Sequence, residues 1–478
     1  MLFNSFEFAV FLPLVFAIYW LVPKRFFQAQ NSILLISSYI FYGWWDWRFL
    51  SLIMFSSVLD YSIGIQLGKR KGPKTRKVLL WTSIVANIGV LMFFKYYNFF
   101  AESFADAFTL FGQGFDPLRL NIILPVGISF YTFQTLSYTI DVYNKRLGPA
   151  KDPIAFFSYV SFFPQLVAGP IERALHFLPQ FHRVRIFSEK ASIDGLRQIL
   201  WGLFKKMVIA DNCASWVDLI FATPGDYSGS TLLLGGVFFA FQIYGDFSGY
   251  SDIAIGTARL FGFDLMKNFA FPYFSRDIAE FWRRWHISLS TWFRDYMYIP
   301  MGGSKGSLWT SIRNIFVIFL VSGFWHGANW TFIFWGALNA LYFIPLLLTK
   351  RNRTNIGVIA SGDLLPSFVD VTKISFTFLL TVIAWIFFRS PDLAYAFSYI
   401  GEIFSASIFT LPELRPINLI VLIVLFMMLE WVGREQEFGL AIIGKLSIRP
   451  LRWASYFVIL GLIFYYHVED RQFIYFQF

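Results

Sequence analysis

The sequence predicts an all-α integral membrane protein, on the strength of its composition, its hydropathy and its apolar pattern. Of 478 residues, 56% are hydrophobic and 15% are charged, and the mean hydropathy is +0.55. Soluble domains contain about 25% charged residues. Apolar runs of about 20 residues, enough to cross a bilayer, recur along nearly the whole chain. The runs are continuous and do not alternate, so they predict helices rather than barrel strands.

The spacing of the apolar runs predicts one membrane domain over residues 1–478, with about 11–12 transmembrane helices. No stretch between the runs is long enough for an independent soluble domain. The clearest runs lie at residues 8–22, 78–100, 121–143, 207–222, 231–249, 314–330, 332–348, 371–388, 416–433 and 451–467.

Two segments depart from the transmembrane pattern. Residues 156–169 are apolar but short, and Pro164 and Gly169 interrupt them, which predicts a re-entrant or interfacial piece. Residues 193–207 keep apolar side chains at helical spacing among basic residues. They predict a helix along the cytoplasmic surface, with a solvated linker as the alternative.

The charge pattern predicts the orientation in the membrane. The loop 69–77 carries six positive charges and no acidic residue, which is typical of a cytoplasmic loop. Glu7 precedes the first run, and Lys24 and Arg25 follow it, so the N-terminus is expected outside the cytoplasm. This first run has no small-residue cleavage site and is expected to remain as a span.

The composition also excludes several partners and sites. The net charge is +10, but the basic residues lie in short loops between apolar runs, so no nucleic-acid partner is expected. The single cysteine, Cys213, excludes an intramolecular disulfide and a multi-cysteine zinc site. We expect Cys213 to be a buried apolar residue, and we expect no metal.

His326 is the first candidate catalytic residue. It lies within the uncharged run 315–330, and a titratable side chain inside a membrane span is a functional candidate. Removal from water favours the neutral imidazole, which is the state of a general base. A histidine that merely bonds a neighbouring helix is the structural alternative.

His286 belongs to a second candidate site, the aromatic and basic segment 281–295. At helical spacing, the apolar residues of 278–296 form one stripe, and His286 shares a face with Trp282, Leu289 and Phe293. Arg283 and Arg284 are candidates for binding the phosphates of a nucleotide-type donor. Packing of the stripe, and snorkelling of the arginines to lipid phosphates, are the alternatives.

Asp246 is the remaining polar candidate, because it is an acid beside an apolar run. It is expected to line a polar cavity or to orient neighbouring groups. The other histidines, His176, His182 and His467, are expected at the surface or interface. The sequence contains no Gly-x-Ser-x-Gly elbow, no Walker A loop and no His-Glu-x-x-His helix, so these reaction types are not indicated.

The two histidine motifs resemble the signatures of the membrane-bound O-acyltransferase family. Further segments are similar to the bacterial branch of that family that O-acetylates alginate, peptidoglycan or other exported glycans, and the similarity covers nearly the full chain. The segments that carry the resemblance are 124–134, 163–173, 246–252, 281–295, 298–303, 323–329 and 473–478.

The resemblance implies a ring of helices around a central tunnel that the acyl donor enters from the cytoplasm. It implies that His326 is the essential histidine and His286 the second one, with Trp325 and Asn329 as motif neighbours. Trp325, Asn329 and Asp246 are expected, like Arg283 and Arg284, to bind substrate or donor. The implied donor is acetyl-CoA, used as a substrate without a cofactor. A general-base role and an acyl-histidine role for His326 both remain open.

The resemblance also implies a multi-pass protein of the bacterial inner membrane. A periplasmic SGNH-type acetyltransferase is the expected partner, with an exported polysaccharide as final acceptor. A lipid or protein O-acyltransferase, a D-alanyl transfer protein and a non-catalytic transporter or flippase are the alternatives.

Overall fold

The computed structural model describes residues 1–109, 112, 116–467, 471 and 473–476. Within these residues the secondary structure is helical and no β-strand is present, which confirms the all-α prediction. The chain forms two compact units: Met1–Ala191 with Ala258–Met266, and Ser192–Thr257 with Lys267–Phe478. The single domain over 1–478 stays a prediction.

The first unit contains the N-terminal helices. Several begin at a side-chain cap: Ser5 Oγ accepts the amide of Phe8, and Asp152 accepts the amides of Ile154 and Ala155, which satisfies backbone donors at the helix start. The α-helices of this unit are Phe6–Leu21, Phe27–Asp46, Leu50–Lys69, Pro73–Thr109, Ile128–Tyr143, Pro153–Ser161, Phe163–Leu166 and Ala174–Phe177.

Residues 156–169, which the sequence predicts to be a short and interrupted apolar piece, are broken into short helices. Two helices, Pro153–Ser161 and Phe163–Leu166, are separated by Phe162, whose backbone leaves the helical region. Phe156, Tyr159, Phe162 and Phe163 of this segment are buried. Pro164 follows Phe163 in the first turn of the second helix, where a missing N–H costs nothing. Whether this piece re-enters the membrane stays a prediction.

The second unit carries the remaining helices and both candidate histidines. Its helices are Glu189–Leu203, which begins at the unit boundary, then Asp211–Ala222, Gly229–Leu260, Ile278–Arg284, Ile287–Phe293, Leu308–His326, Trp330–Leu348, Phe368–Arg389, Leu393–Ile403, Ile417–Gly433 and Arg449–Tyr465. Residues Phe204–Ala210 and Arg294–Tyr298 are π-helical.

Six helical stretches in the described part of the chain are long and apolar enough to cross a membrane, so this is a multi-pass integral membrane protein. They are Lys24–Lys69, which contains two helices, Pro73–Thr109, Gly229–Leu260, Leu308–His326, Trp330–Leu348 and Phe368–Arg389. Phe6–Leu21 and Ile417–Gly433 are shorter apolar helices. The total of about 11–12 crossings and the orientation stay predictions.

Glycines bring the Leu308–His326 and Trp330–Leu348 helices into backbone contact. A Cβ atom on Gly323 would lie 2.2 Å from the Phe332 carbonyl oxygen, and one on Gly336 would lie 2.3 Å from that of Phe319. Because real Cβ contacts are longer, any larger residue would push the helices apart. This hairpin holds His326, the last residue of its first helix.

Two further glycine contacts lie beside a pair of buried lysines. A Cβ atom on Gly245 would lie 2.8 Å from the Lys205 carbonyl oxygen, and one on Gly249 would lie 2.8 Å from that of Gly202. The π-helical segment Phe204–Ala210 therefore packs directly on the Gly229–Leu260 helix. Lys205 and Lys206 are both buried.

The surface predictions for the other histidines are confirmed, since His176, His182 and His467 are exposed. Cys213 is buried, as predicted.

Candidate active site

His326 ends the Leu308–His326 helix and is 4% exposed. The helix stops here because Gly327 is extended. Aromatic rings surround the imidazole on several sides: its centroid lies 4.9 Å from the ring of Trp325, 5.2 Å from Trp335, 5.3 Å from Phe388 and 5.5 Å from Tyr475. The histidine therefore occupies a site of low polarity, where electrostatic interactions are strong.

His286 occupies a turn, so the single helix expected across 278–296 is wrong. One helix ends at Arg284, His286 has a left-handed backbone with φ of 43°, and the next helix begins at Ile287. An earlier segment of the same chain explains the break. The amide of Ile287 donates to the Asn268 carbonyl oxygen at 2.9 Å. His286 consequently does not share a helical face with Trp282 or Leu289.

Asn268 also determines the protonation of His286. The Asn268 Oδ1 atom accepts from the amide of Ser288 at 3.4 Å and from Ser288 Oγ at 2.9 Å, and its Nδ2 donates to Ser251 Oγ at 3.0 Å. An atom that accepts from a backbone amide must be the oxygen, so the amide orientation is defined. His286 Nδ1, 3.0 Å from this oxygen, therefore carries the proton, and Nε2 carries the lone pair.

Burial keeps His286 neutral. The side chain is 1% exposed, and loss of hydration lowers the pKa of His286 to about 3. Phe247 packs edge-on against the imidazole at 4.7 Å between centroids. A neutral histidine with Nε2 unprotonated is able to accept a proton or a hydrogen bond.

Trp325 lies between the two histidines. Its ring centroid is 4.9 Å from His326 and 6.2 Å from His286, and the side chain is 5% exposed. The structure therefore brings His286, Trp325 and His326 into one cluster, although the two histidines belong to separate sequence motifs.

Asn329 caps the helix that follows His326. Its Oδ1 accepts the Thr331 amide at 2.9 Å, and its Nδ2 donates to the Pro391 carbonyl oxygen at 2.7 Å. These contacts satisfy a backbone donor at the start of the Trp330–Leu348 helix. Both side-chain atoms of the Asn329 amide bond to backbone groups of the protein. A substrate-binding role for Asn329 stays a prediction.

Arg284 and Arg283 also bond to protein groups. Arg284 Nη2 lies 2.8 Å from Oε1 of the buried Glu280 and 2.8 Å from the Gly357 carbonyl oxygen. Arg283 donates to the carbonyl oxygens of Asn352 and Asn355 at 2.8 and 2.7 Å. These contacts support a structural role, and donor binding by the two arginines stays a prediction.

Asp246 contacts a lysine and a backbone amide, and its role in the site stays a prediction. It is 3% exposed, its Oδ1 lies 2.9 Å from Lys206 Nζ, and its Oδ2 accepts the backbone amide of Ile474 at 2.7 Å. The segment bonded in this way carries Tyr475, whose ring faces His326.

Within the described residues, no group of three His, Cys, Asp or Glu side chains is arranged to hold a metal ion.

Comparison with known proteins indicates the family of this chain. The chain is 40% identical to the probable alginate O-acetylase AlgI of Pseudomonas aeruginosa over 90% of its own length and 81% of that protein. A sequence model of the membrane-bound O-acyltransferase family matches residues 144–360, which include both histidines. The chain belongs to the membrane-bound O-acyltransferase family. It is an O-acyltransferase of the branch that contains the alginate and peptidoglycan enzymes.

Two further relatives of this O-acyltransferase are named for other substrates. It is 34% identical to the peptidoglycan O-acetyltransferase of Helicobacter pylori, over 82% of this chain and 78% of the relative. It is 28% identical to the teichoic acid D-alanyltransferase of Bacillus subtilis, over 46% and 58%.

Sequence reasoning about this O-acyltransferase did not single out Asn268, Lys206 or Tyr475 as site residues. Lys206 had a usable signal, because it is a cation directly before the apolar run 207–222. Tyr475 lies in segment 473–478, which carries the family resemblance, but nothing local in the sequence placed it beside His326. Asn268 had no signal, because it meets His286 only through the tertiary fold.

Proposed function

We propose that this O-acyltransferase transfers acetyl groups from cytoplasmic acetyl-CoA across the bacterial inner membrane, for O-acetylation of an exported polysaccharide. The observation that carries the proposal is the buried cluster of His286, Trp325 and His326. A passive transporter or flippase needs a polar pathway, whereas two buried imidazoles in an aromatic site fit acyl chemistry.

The chemistry needs a base beside a thioester. An acceptor hydroxyl oxygen attacks the acetyl carbonyl carbon, and His326 takes the hydroxyl proton. The C–S bond then breaks, and the departing thiolate becomes the thiol of CoA on taking up a proton. His286, with Nε2 unprotonated, assists by positioning the reacting groups or handling the proton. The alternative is nucleophilic catalysis: the His326 nitrogen attacks the carbonyl carbon, the C–S bond breaks to release the thiolate of CoA, and the acceptor hydroxyl then takes the acetyl group from the acyl-histidine, which returns as a neutral imidazole.

Tyr475 supplies a hydroxyl group inside the cluster, and it is the first acceptor in this proposal. Its ring lies 5.5 Å from that of His326, and its hydroxyl oxygen is buried without a hydrogen-bond partner among the residues described. A hydroxyl beside a base is the arrangement that O-acylation requires. Acetylated Tyr475 then passes the group to a periplasmic SGNH-type partner, and the partner passes it to the polysaccharide.

The choice of acetyl follows from the relatives. The proteins matched over most of their length are named as O-acetylases of alginate or peptidoglycan, whereas the D-alanyltransferase matches over less than half of this chain. A separate partner is proposed because the described connections between apolar helices are too short to form a polysaccharide-binding domain.

Turnover in proteoliposomes tests the proposal. Purified protein with radiolabelled acetyl-CoA should release CoA and acquire labelled acetyl groups. His326→Ala should abolish both, while His182→Ala, which removes an exposed histidine, should leave them unchanged. Glycan movement without acetyl turnover would identify a transporter, and label in lipid would identify a lipid acyltransferase. Either result would contradict the proposal.

A further inference from the structure

The C-terminal segment formed by Phe473, Ile474 and Tyr475 is a wall of the active site. Phe473 and Ile474 are buried. The ring of Phe473 stacks on Tyr250 at 4.6 Å, and the ring of Tyr475 packs on Phe247 at 4.6 Å. The position of Tyr475 against His326 therefore depends on how this short segment is held.

A buried carboxylate holds the segment by its backbone. The amide of Ile474 donates to Asp246 Oδ2 at 2.7 Å, and Asp246 lies in the middle of the Gly229–Leu260 helix. A hydrogen bond to an ionised acceptor is about twice as strong as a neutral one. Ring packing alone would allow the segment to slide, whereas this bond defines its register.

Lys206 compensates the charge of Asp246. Its Nζ lies 2.9 Å from Asp246 Oδ1 and 2.8 Å from Asp211 Oδ1, and its side chain is 1% exposed. An unpaired carboxylate at this depth would be strongly unfavourable. The π-helical segment and the glycines that seat it on the Gly229–Leu260 helix are what bring this cation to the carboxylate.

We infer that Asp246, paired with Lys206, is a positioning residue that docks the C-terminal segment and so places Tyr475 against His326. The effect on acetyl transfer rests on the proposed function, but the docking of the C-terminal segment does not. Asp246 acts through the backbone amide of Ile474.

Cysteine accessibility tests the docking without any turnover. Ile474→Cys keeps the backbone amide and, in a Cys213→Ser background, leaves a single thiol. This thiol should be protected from maleimide, and adding Asp246→Asn should raise its labelling rate by at least about tenfold, which corresponds to the loss of one charge-assisted hydrogen bond. Asp211→Asn is the matched control, because it removes a carboxylate from the same lysine without touching the segment.

The outcomes separate docking from general damage. Equal exposure of the thiol in both variants, or its protection in the Asp246→Asn variant, would overturn the inference. Asp246→Asn samples are scored only if they remain monodisperse with a cooperative thermal transition.

A second pair of variants keeps the inference testable should Asp246→Asn fail to fold. Ile474→Pro removes only the amide donor, at the first position of a short helix where proline is tolerated, and Ile474→Ala keeps it. Relative to the alanine variant, which shortens the same side chain but keeps the amide, the proline variant should lower kcat for acetyl transfer at least about tenfold with an unchanged KM for acetyl-CoA. Equal kcat values in the two variants would overturn the docking role. If the wild-type protein showed no acetyl turnover, only the proposed function would be contradicted.

Discussion

Asn268 Oδ1 lies 3.0 Å from His286 Nδ1, and this contact determines which nitrogen of His286 carries the lone pair. Asn268→Ala frees Nδ1 and allows the other tautomer. We expect kcat for acetyl transfer to fall by roughly 10²-fold, within the range of general acid–base catalysis. Steady-state kinetics with acetyl-CoA provide the measurement. Ser251→Ala removes the acceptor of Asn268 Nδ2 and should have a much smaller effect; equal losses would contradict the tautomer argument.

The contacts of Arg284 predict a loss of stability rather than of donor affinity. Arg284→Ala leaves the buried Glu280 with Arg276 as its remaining arginine partner in the described contacts. The expected destabilisation is about 2 kcal/mol, seen as a lower apparent Tm in detergent. Arg283→Ala, which loses two bonds to loop carbonyl oxygens, is the milder comparison. A raised KM for acetyl-CoA that weakens with added salt would restore the donor-binding prediction.

Tyr475 has both a ring and a hydroxyl, and one substitution separates their roles. Tyr475→Phe keeps the packing on Phe247 and His326 but removes the hydroxyl, so it should abolish acetylation of the protein as completely as His326→Ala. Mass spectrometry of the C-terminal peptide after incubation with acetyl-CoA should find acetyl on Tyr475 in the wild type. Full activity of Tyr475→Phe would remove Tyr475 from the acceptor role and leave it as a wall residue.

His176 predicts a pH-dependent contribution to stability in the first unit. Its Nε2 lies 3.7 Å from Asp264 Oδ2, and its Nδ1 lies 2.9 Å from Oε2 of the buried Glu172. The bonds to Asp264 and Glu172 raise the pKa of His176 to about 10. Because the pKa is raised on folding, the stabilisation is fully present below the unfolded value of about 6.5 and is lost as pH rises through 10.

The apparent Tm measures this effect. The difference between wild type and His176→Gln should be largest near pH 6 and should shrink toward pH 10. His182→Gln, at an exposed histidine, should show no such trend. A constant difference across this range would contradict the assignment.

The helices and the first histidine were predictable because their signals are local. Apolar runs at 416–433 and 451–467 became helices at Ile417–Gly433 and Arg449–Tyr465. His326 could be selected because an imidazole in an uncharged run is unusual. Apolar spacing is a local quantity, and it does not depend on the rest of the fold.

The break at His286 was not predictable, because its cause lies elsewhere in the chain. The spacing of Trp282, Trp285 and Leu289 suits one helix, but the backbone of Asn268 takes the amide of Ile287 and a helix cannot continue through that bond. The docking of Tyr475 likewise depends on Asp246 and Lys206, which only the fold brings to Ile474. Residue periodicity carries no information about such pairings.

The backbone contact at Gly323 and Gly336 has a consequence for the position of His326. Because the two helices touch through backbone atoms, they form one rigid pair, and His326 on the first helix keeps its place against Trp335 on the second. A random screen for mutants that no longer acetylate should therefore return larger residues at these two glycines alongside changes at the histidines, although neither glycine has any chemistry to lose.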